Sequence, residues 1–142
     1  MRIIALYKVW SGEEWLKPSV ISILPFVEKV ILLSSSVSWI GGRGNPSLPA
    51  VRELVKEYPD KIEHINFDEP NQLVHCQYGF EHIKRNYYCD YIHLCDSDEL
   101  WDKENYLKAI SFLEQNPGLP AYRTQMYTYL KSPFYRVDPP EP

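Results

Sequence analysis

Short apolar runs that alternate with helically spaced apolar residues place the strongest limit on the fold of this chain. Runs rich in Ile, Leu and Val occupy residues 2–9 and 30–33, and a less regular one occupies 62–67. A further run begins at Tyr91 and ends in two aspartates. Runs of this length are typical of buried strands.

The stretches between these runs have the periodicity of helices. The first helix is predicted to start near Pro18, which only a first helical turn tolerates, and to end at Pro25. A third helix is predicted over 71–86. Ser47 and Asp102 are predicted to cap the other two helices, which Pro59 and Pro117-Gly118 end.

Strands that alternate with helices predict an α/β fold with a mostly parallel central sheet. We expect a three-layer α/β/α sandwich, Rossmann-like, with the first strand near its centre. A fifth strand is predicted over 122–130, followed by an irregular, proline-rich stretch over 132–142. The 142 residues fit a single domain with a substantial core.

Composition excludes several classes of function. A net charge of −4 is unfavourable for a general nucleic-acid-binding protein. The three cysteines form no Cys-x-x-Cys pair, so they predict buried thiols and not a disulfide framework or zinc ribbon. No apolar stretch approaches the roughly 20 residues of a membrane span, and none at the start suits a signal peptide. A cytoplasmic protein is expected, with peripheral attachment to a membrane left open.

The strongest chemical signal is Asp96-Ser97-Asp98, directly after the apolar run that starts at Tyr91. Alternation along an extended chain would place Asp96 and Asp98 on the same side. Two hard, anionic oxygen ligands so placed suit Mg²⁺ or Mn²⁺ bound to a phosphate. The structural alternative is that both aspartates belong to a turn.

Ligands of parallel α/β sheets bind at the carboxyl ends of the strands. Three predicted strand ends carry residues that would converge on one crevice. These residues are Val9 and Trp10, Ser34 and Ser35, and Asp96 with Asp98.

With these elements in this order, the chain resembles glycosyltransferases of the GT-A fold, especially the family-2-like group. The resemblance lies in the stretches 12–16, 22–30 and 96–99, which have the sequences GEEWL, SILPFVEKV and DSDE. It implies transfer of a sugar from a nucleotide-diphosphate sugar, of UDP or GDP type, to an acceptor. The acceptor is unassigned among proteins, glycans and lipids.

The resemblance also implies roles for individual residues. Asp96 would contact the ribose or the metal, and Asp98 would coordinate Mn²⁺ or Mg²⁺ bound to the diphosphate. Trp10 would stack on the base, or else serve in packing. Ser34 or Ser35 would donate to the base or ribose, and Glu99 would orient the loop.

The chain departs from the family pattern at several points. Ser34 stands where many relatives carry an Asp that reads the base or ribose, so the nucleotide stays open. His75 stands where it could approach the diphosphate, but a structural role is predicted for it. Inverting relatives take a general base from beyond the fifth strand, where the chain offers only Asp138 and Glu141. We therefore expect one nucleotide-sugar-binding domain over 1–142, with the acceptor part short or missing after about residue 130.

Two other functions fit parts of the sequence. A catalytically silent nucleotide- or protein-binding module could keep the scaffold, because a fold does not guarantee activity. A Toprim-like, Mg²⁺-dependent phosphoryl-transfer enzyme would pair Glu13 or Glu14 with the Asp-x-Asp motif, although the acidic net charge opposes a nucleic-acid substrate.

Overall fold

The computed structural model describes residues 1–38 and 40–126. Within these residues, strands and helices alternate along the chain. The strands are β1 (Ile3–Val9), β2 (Lys29–Ser34), β3 (Ile62–Asn66) and β4 (Tyr91–Asp96). The α-helices are α1 (Glu13–Ile23), α2 (Leu48–Glu57), α3 (Gln72–Asn86) and α4 (Lys103–Gln115), and a short 3₁₀ turn, Leu24–Phe26, follows α1.

The strands form one parallel sheet in the order β3-β2-β1-β4. β1 is paired along both edges, with Val9 opposite Ser34 on β2 and Lys8 opposite Asp96 on β4. The predicted α/β fold with a parallel central sheet and flanking helices is confirmed. The carboxyl ends of β1, β2 and β4 lie level at the same edge of the sheet.

Both faces of β1 are buried, which explains the continuous run of apolar and aromatic residues over positions 3–7. The side chains of Ala5, Tyr7 and Val9 belong to the core under α1, α2 and the start of α4. Those of Ile4 and Leu6 belong to a smaller core under α3. The sheet is thus the middle of three layers.

The first helix begins earlier than the sequence predicted. α1 starts at Glu13 and contains Pro18, whereas a start near Pro18 was predicted. The amides of a first helical turn have no intrahelical partner, but Pro18 lies beyond the first turn of α1. Its missing N–H therefore removes one intrahelical hydrogen bond, the one to the Glu14 carbonyl. One lost bond is tolerated because Leu16 and Val20 bury the helix against the sheet.

The predicted caps have mixed outcomes. Asp102 Oδ1 accepts the Asn105 amide at 3.0 Å, as a cap of α4 does. Ser47 precedes α2, but its side chain makes no capping hydrogen bond. Ser47 has helical rather than extended backbone angles, and Pro49, the second residue of α2, has no amide hydrogen to offer.

The chain divides into two compact units, Met1–Ser111 and Phe112–Pro142. In the second unit, the Phe112 ring stacks on Tyr122 with the centroids 4.9 Å apart. No helix among the described residues is long and apolar enough to span a bilayer.

The predicted fifth strand falls in the second unit. Its described part, residues 122–126, contains no strand. The remainder, 127–130, and the proline-rich stretch 132–142 lie outside the described residues. The expectation that the acceptor part is short or missing after about residue 130 stays a prediction.

Gly79 permits α3 to lie close to the sheet, and replacing it tests this packing. A Cβ at Gly79 would lie 2.8 Å from a methyl of Leu6 and 3.0 Å from one of Leu33. Gly79→Val should therefore lower the free energy of unfolding by about 2 kcal/mol, through overpacking, as measured by urea denaturation. Gln77→Val, at an exposed position of the same helix, is the control for the low helix propensity of valine. Equal losses in both variants would contradict the close packing.

Candidate functional site

An ion pair joins the ends of β1 and β4. Lys8 Nζ lies 2.9 Å from Asp96 Oδ1, and the two residues are register partners across the parallel strands. The Lys8 side chain is 11% exposed and that of Asp96 is 56% exposed. The carboxylate of Asp96 therefore has one oxygen paired with a largely buried ammonium group and still faces solvent.

The loop after β1 packs against the centre of the Asp-x-Asp motif. Ser97 Oγ donates to the Ser11 carbonyl at 2.7 Å. Gly12 has a left-handed φ of 86°, and a Cβ there would lie 2.7 Å from Ser97 Oγ. Glycine is therefore needed at position 12 for its backbone angle and for the close approach. Together these contacts fix the motif beside the end of β1.

Asp98 lies in a turn and not in an extended strand. β4 ends at Asp96, and Ser97 and Asp98 form a turn that a hydrogen bond from the Glu99 amide to the Asp96 carbonyl closes at 3.2 Å. The premise that strand alternation places Asp96 and Asp98 on one side is therefore wrong. Both residues are exposed, and the Asp98 carboxylate forms no ion pair within the described part of the chain.

The serines at the end of β2 are buried, and their hydroxyls have partners inside the protein. Ser34 Oγ is hydrogen-bonded to His64 Nε2 at 2.7 Å and to Asn66 Oδ1 at 3.0 Å. Ser35 Oγ donates to the Val37 carbonyl at 2.7 Å and accepts its amide at 3.0 Å. A role in binding the base or ribose stays a prediction for both serines, and it would require these bonds to be exchanged.

Asn45, which the sequence did not single out, covers the ends of β1 and β2. Its Nδ2 donates to the Val9 carbonyl at 2.8 Å and to the Ser35 carbonyl at 2.9 Å. The side chain of Val9 is fully buried. A predicted contact of Val9 with a nucleotide could therefore involve only its backbone. An asparagine after a glycine-rich loop was the available signal for this role.

Trp10 is partly buried under the loop that follows β2. A Cβ at Gly42 would lie 3.0 Å from Trp10 Cζ2, so the loop backbone packs directly on the indole. The indole nitrogen is buried without a hydrogen-bond partner among the described residues. These contacts agree with the packing role for Trp10, and stacking on a base stays a prediction.

Two polar side chains, one from the segment after β3 and one from α3, complete the surroundings of the carboxyl end of β2. Asp68 accepts the Ser36 amide and the Ser36 hydroxyl, each at 2.7 Å, and these bonds hold the pKa of Asp68 below its usual value. His75 is buried, and its Nε2 lies 3.4 Å from the Ser34 carbonyl. Burial lowers the pKa of His75. Both residues hold backbone in place, which agrees with the structural role predicted for His75.

The other face of β4 anchors the motif loop to α1. Ser19 Oγ donates to the Glu99 carbonyl, and Ser22 Oγ accepts the Trp101 amide at 3.2 Å. The Trp101 ring meets His93 edge-on, with the centroids 5.2 Å apart. The loop that carries Asp98 is therefore held by hydrogen bonds to α1 and by the packing of the Trp101 ring on His93.

A second group of potential metal ligands lies in this core. The ligand atoms of His93, Cys95 and Glu99 all lie within 4.8 Å of one another, and they are the one such group of three in the described ranges. Burial lowers the pKa of His93 to about 4, raises that of Glu99 to about 7 and raises that of the Cys95 thiol. Burial leaves the His93 imidazole neutral but favours the protonated forms of Cys95 and Glu99, so a metal would have to displace protons from these two groups. We therefore interpret the group as a core network.

Asp96 and Asp98 fit a hard divalent cation better than this core group does. Their exposed carboxylates are the oxygen donors that Mg²⁺ and Mn²⁺ prefer, and water can complete an octahedral shell. Lys8 occupies Oδ1 of Asp96, so Oδ2 is the oxygen left for a metal. The exposed oxygens would hold a cation through one or two carboxylates, which is typical of magnesium sites.

Comparison with known proteins supports the fold. No protein-family model and no curated protein matches the chain. The crystal structure of S. aureus TarS 1-349 is similar, with a TM-score of 0.57 and 11% identity over 90% of this chain and 40% of TarS 1-349. A second crystal structure of S. aureus TarS gives a TM-score of 0.56 and 12% identity, with 90% of this chain and 24% of that chain covered.

At such identities the likeness shows the fold alone. TarS is a glycosyltransferase, so the fold of this chain is glycosyltransferase-like, as the resemblance implied. This chain spans less than half the length of either TarS structure.

Burial of the neutral His93 ring should make the free energy of unfolding depend on pH. Because its pKa falls from 6.5 to about 4 on folding, the unfolded chain binds a proton first as the pH drops. His93 therefore contributes stability above pH 6.5 that is lost towards pH 4, by at most about 3 kcal/mol. His93→Gln should remove this contribution from the pH profile of urea denaturation between pH 4 and 7, where the raised pKa of Glu99 acts in the opposite direction. Parallel pH profiles for wild type and variant would contradict the assignment.

Proposed function

We propose that this chain is the donor-binding domain of a metal-dependent glycosyltransferase. It would bind a nucleotide-diphosphate sugar of UDP or GDP type at the carboxyl edge of the sheet. The observation that carries the proposal is the position of Asp96 and Asp98. They are exposed carboxylates at the end of β4, beside β1, where the strand order reverses in a glycosyltransferase-like sheet.

The chemistry required at this edge is neutralisation of a departing nucleoside diphosphate. Asp96 and Asp98 would hold Mn²⁺ or Mg²⁺, which supplies Lewis-acid stabilisation of the charge that develops on the leaving phosphate. The Ser97 bond to Ser11 and the Ser19 bond to Glu99 hold the backbone of the loop that carries the two aspartates without depending on the metal.

The nucleotide would lie over the ends of β1 and β2, where Trp10, Ser34 and Ser35 are the predicted contacts. The Asn45 amide, which bridges the carbonyls of Val9 and Ser35, would form the floor of that region. The acceptor, whether protein, glycan or lipid, is unassigned. No general base is assigned either, and Asp138 and Glu141 lie outside the described residues.

A binding screen tests the donor class. Calorimetric titration with UDP, GDP, CDP and dTDP, each with and without Mn²⁺, should give metal-dependent binding of at least one nucleotide. Radiolabelled sugar nucleotides of that type should then be hydrolysed slowly, or transferred when a suitable acceptor is added. Retained metal-dependent affinity with neither hydrolysis nor transfer would instead indicate a catalytically silent module. Absence of binding for all four nucleotides would contradict the proposal.

Asp98→Ala should abolish the metal-dependent part of nucleotide binding. We expect a loss of roughly 2 kcal/mol, about thirtyfold in Kd, because a carboxylate ligand of the cation is removed. Thermal stability without metal should stay nearly unchanged, since the side chain is exposed and forms no ion pair within the described residues. Asp60→Ala is the matched control, because Asp60 is exposed and lies just before β3, at the amino ends of the strands. Unchanged nucleotide affinity in Asp98→Ala would rule out the metal assignment.

A further inference from the structure

Lys8 lies at the proposed donor site but was not among the residues that the sequence predicted for it. It is the penultimate residue of a central strand whose other side chains are nearly all apolar. Its ammonium group pairs with Asp96 across 2.9 Å, and its side chain is 11% exposed. A lysine this buried is rare unless it is paired.

The surroundings of Lys8 leave it few alternative partners. Burial lowers the pKa of His75 and raises that of Cys76, and the positive charge of Lys8 is a smaller influence on both, so the ammonium group lies near α3 as well as β4. Neither of these residues offers a carboxylate. Among the described residues, Asp96 is the one carboxylate within ion-pair distance of Lys8.

This pair alters the charge that a metal ion would meet. Asp96 and Asp98 alone would present two negative charges to a divalent cation, but Lys8 offsets one of them. A cation arriving alone must approach an ammonium group and share Asp96 with it. A nucleoside diphosphate brings further negative charge and therefore relieves this repulsion.

We propose that Lys8 makes divalent-cation binding depend on the nucleotide diphosphate, by holding Asp96 in the empty site and opposing a cation that arrives alone. This inference rests on the proposed function. It predicts strong positive coupling between metal and nucleotide, which must be reciprocal in their affinities. Lys8 acts here through Asp96, so it is a positioning residue for the metal.

The test compares Mn²⁺ binding in two states of the full chain. Free Mn²⁺ is measured by electron paramagnetic resonance, first for the protein alone and then with saturating UDP or GDP, whichever binds the wild type. Lys8→Met removes the charge and keeps an unbranched apolar stem. Lys8→Arg retains the charge. Lys17→Met is the matched control, because Lys17 pairs with Glu53 and Glu57 on the outer helices at 2.7 and 2.8 Å.

Lys8→Met should bind Mn²⁺ alone about tenfold more tightly than the wild type, since one repelling charge beside the cation is removed. The tightening of Mn²⁺ by nucleotide should shrink by a similar factor. Lys8→Arg and Lys17→Met should both resemble the wild type. If Lys8→Met does not fold, Lys8→Gln replaces it and carries the same expectation.

Failure of this inference differs from failure of the proposed function. Unchanged or weaker Mn²⁺ affinity in the nucleotide-free Lys8→Met protein would overturn the role of Lys8, even if nucleotide binding depends on metal. Equal coupling between metal and nucleotide in wild type and variant would overturn it as well. If no nucleotide binds the wild type, the proposed function fails, whereas the comparison with Mn²⁺ alone still decides whether Lys8 opposes the cation.

Discussion

The parallel pairing of β1 with β4 is the constraint on which the rest of the site depends. β1 is buried on both faces and paired on both edges, so a shift of its register would disrupt its packing in both cores and its pairing with both neighbours. That register sets Lys8 opposite Asp96. The first charged side chain after the apolar part of β1 therefore meets the first carboxylate of the motif.

The two faces of β4 have different surroundings at its carboxyl end. Asp96 faces Lys8 and solvent, whereas the preceding residue, Cys95, lies in the core with Tyr7. The loop that follows is bonded to Ser19 and Ser22 on α1. An exposed acidic turn is thus followed by a segment that is hydrogen-bonded to α1.

Much of the fold could be predicted from the sequence because its signals were local. Buried runs and helical spacing predicted the four strands and four α-helices that the described residues form, and alternation predicted the parallel sheet. They also predicted a fifth strand, whose described part, 122–126, contains no strand. The start of α1 was missed because Pro18 was interpreted from propensity alone, and burial of Leu16 and Val20 outweighs one lost hydrogen bond. The Ser47 cap was predicted but does not form, because Ser47 has helical backbone angles and Pro49 removes an amide that such a cap can use.

The site was less predictable because its geometry depends on pairs that are distant in sequence. Asp96 and Asp98 could be identified as a motif, but the position of their turn beside β1 depends on the bond from Ser97 to Ser11 and on the close approach of Gly12, which are distant in sequence. Lys8 and Asn45 carried no motif. Their roles follow from strand register and from carbonyls left at strand ends, which only the assembled sheet brings together.

The position of Lys8 also bears on how an acidic motif can serve a highly anionic ligand. Two aspartates alone would repel a diphosphate unless a cation were already bound, and a permanently bound cation would hold a released product equally well. A buried ammonium group beside one aspartate weakens both effects, because it lowers the negative charge of the empty site and its affinity for a metal. Metal and nucleotide diphosphate would then enter and leave together, which favours release after each transfer.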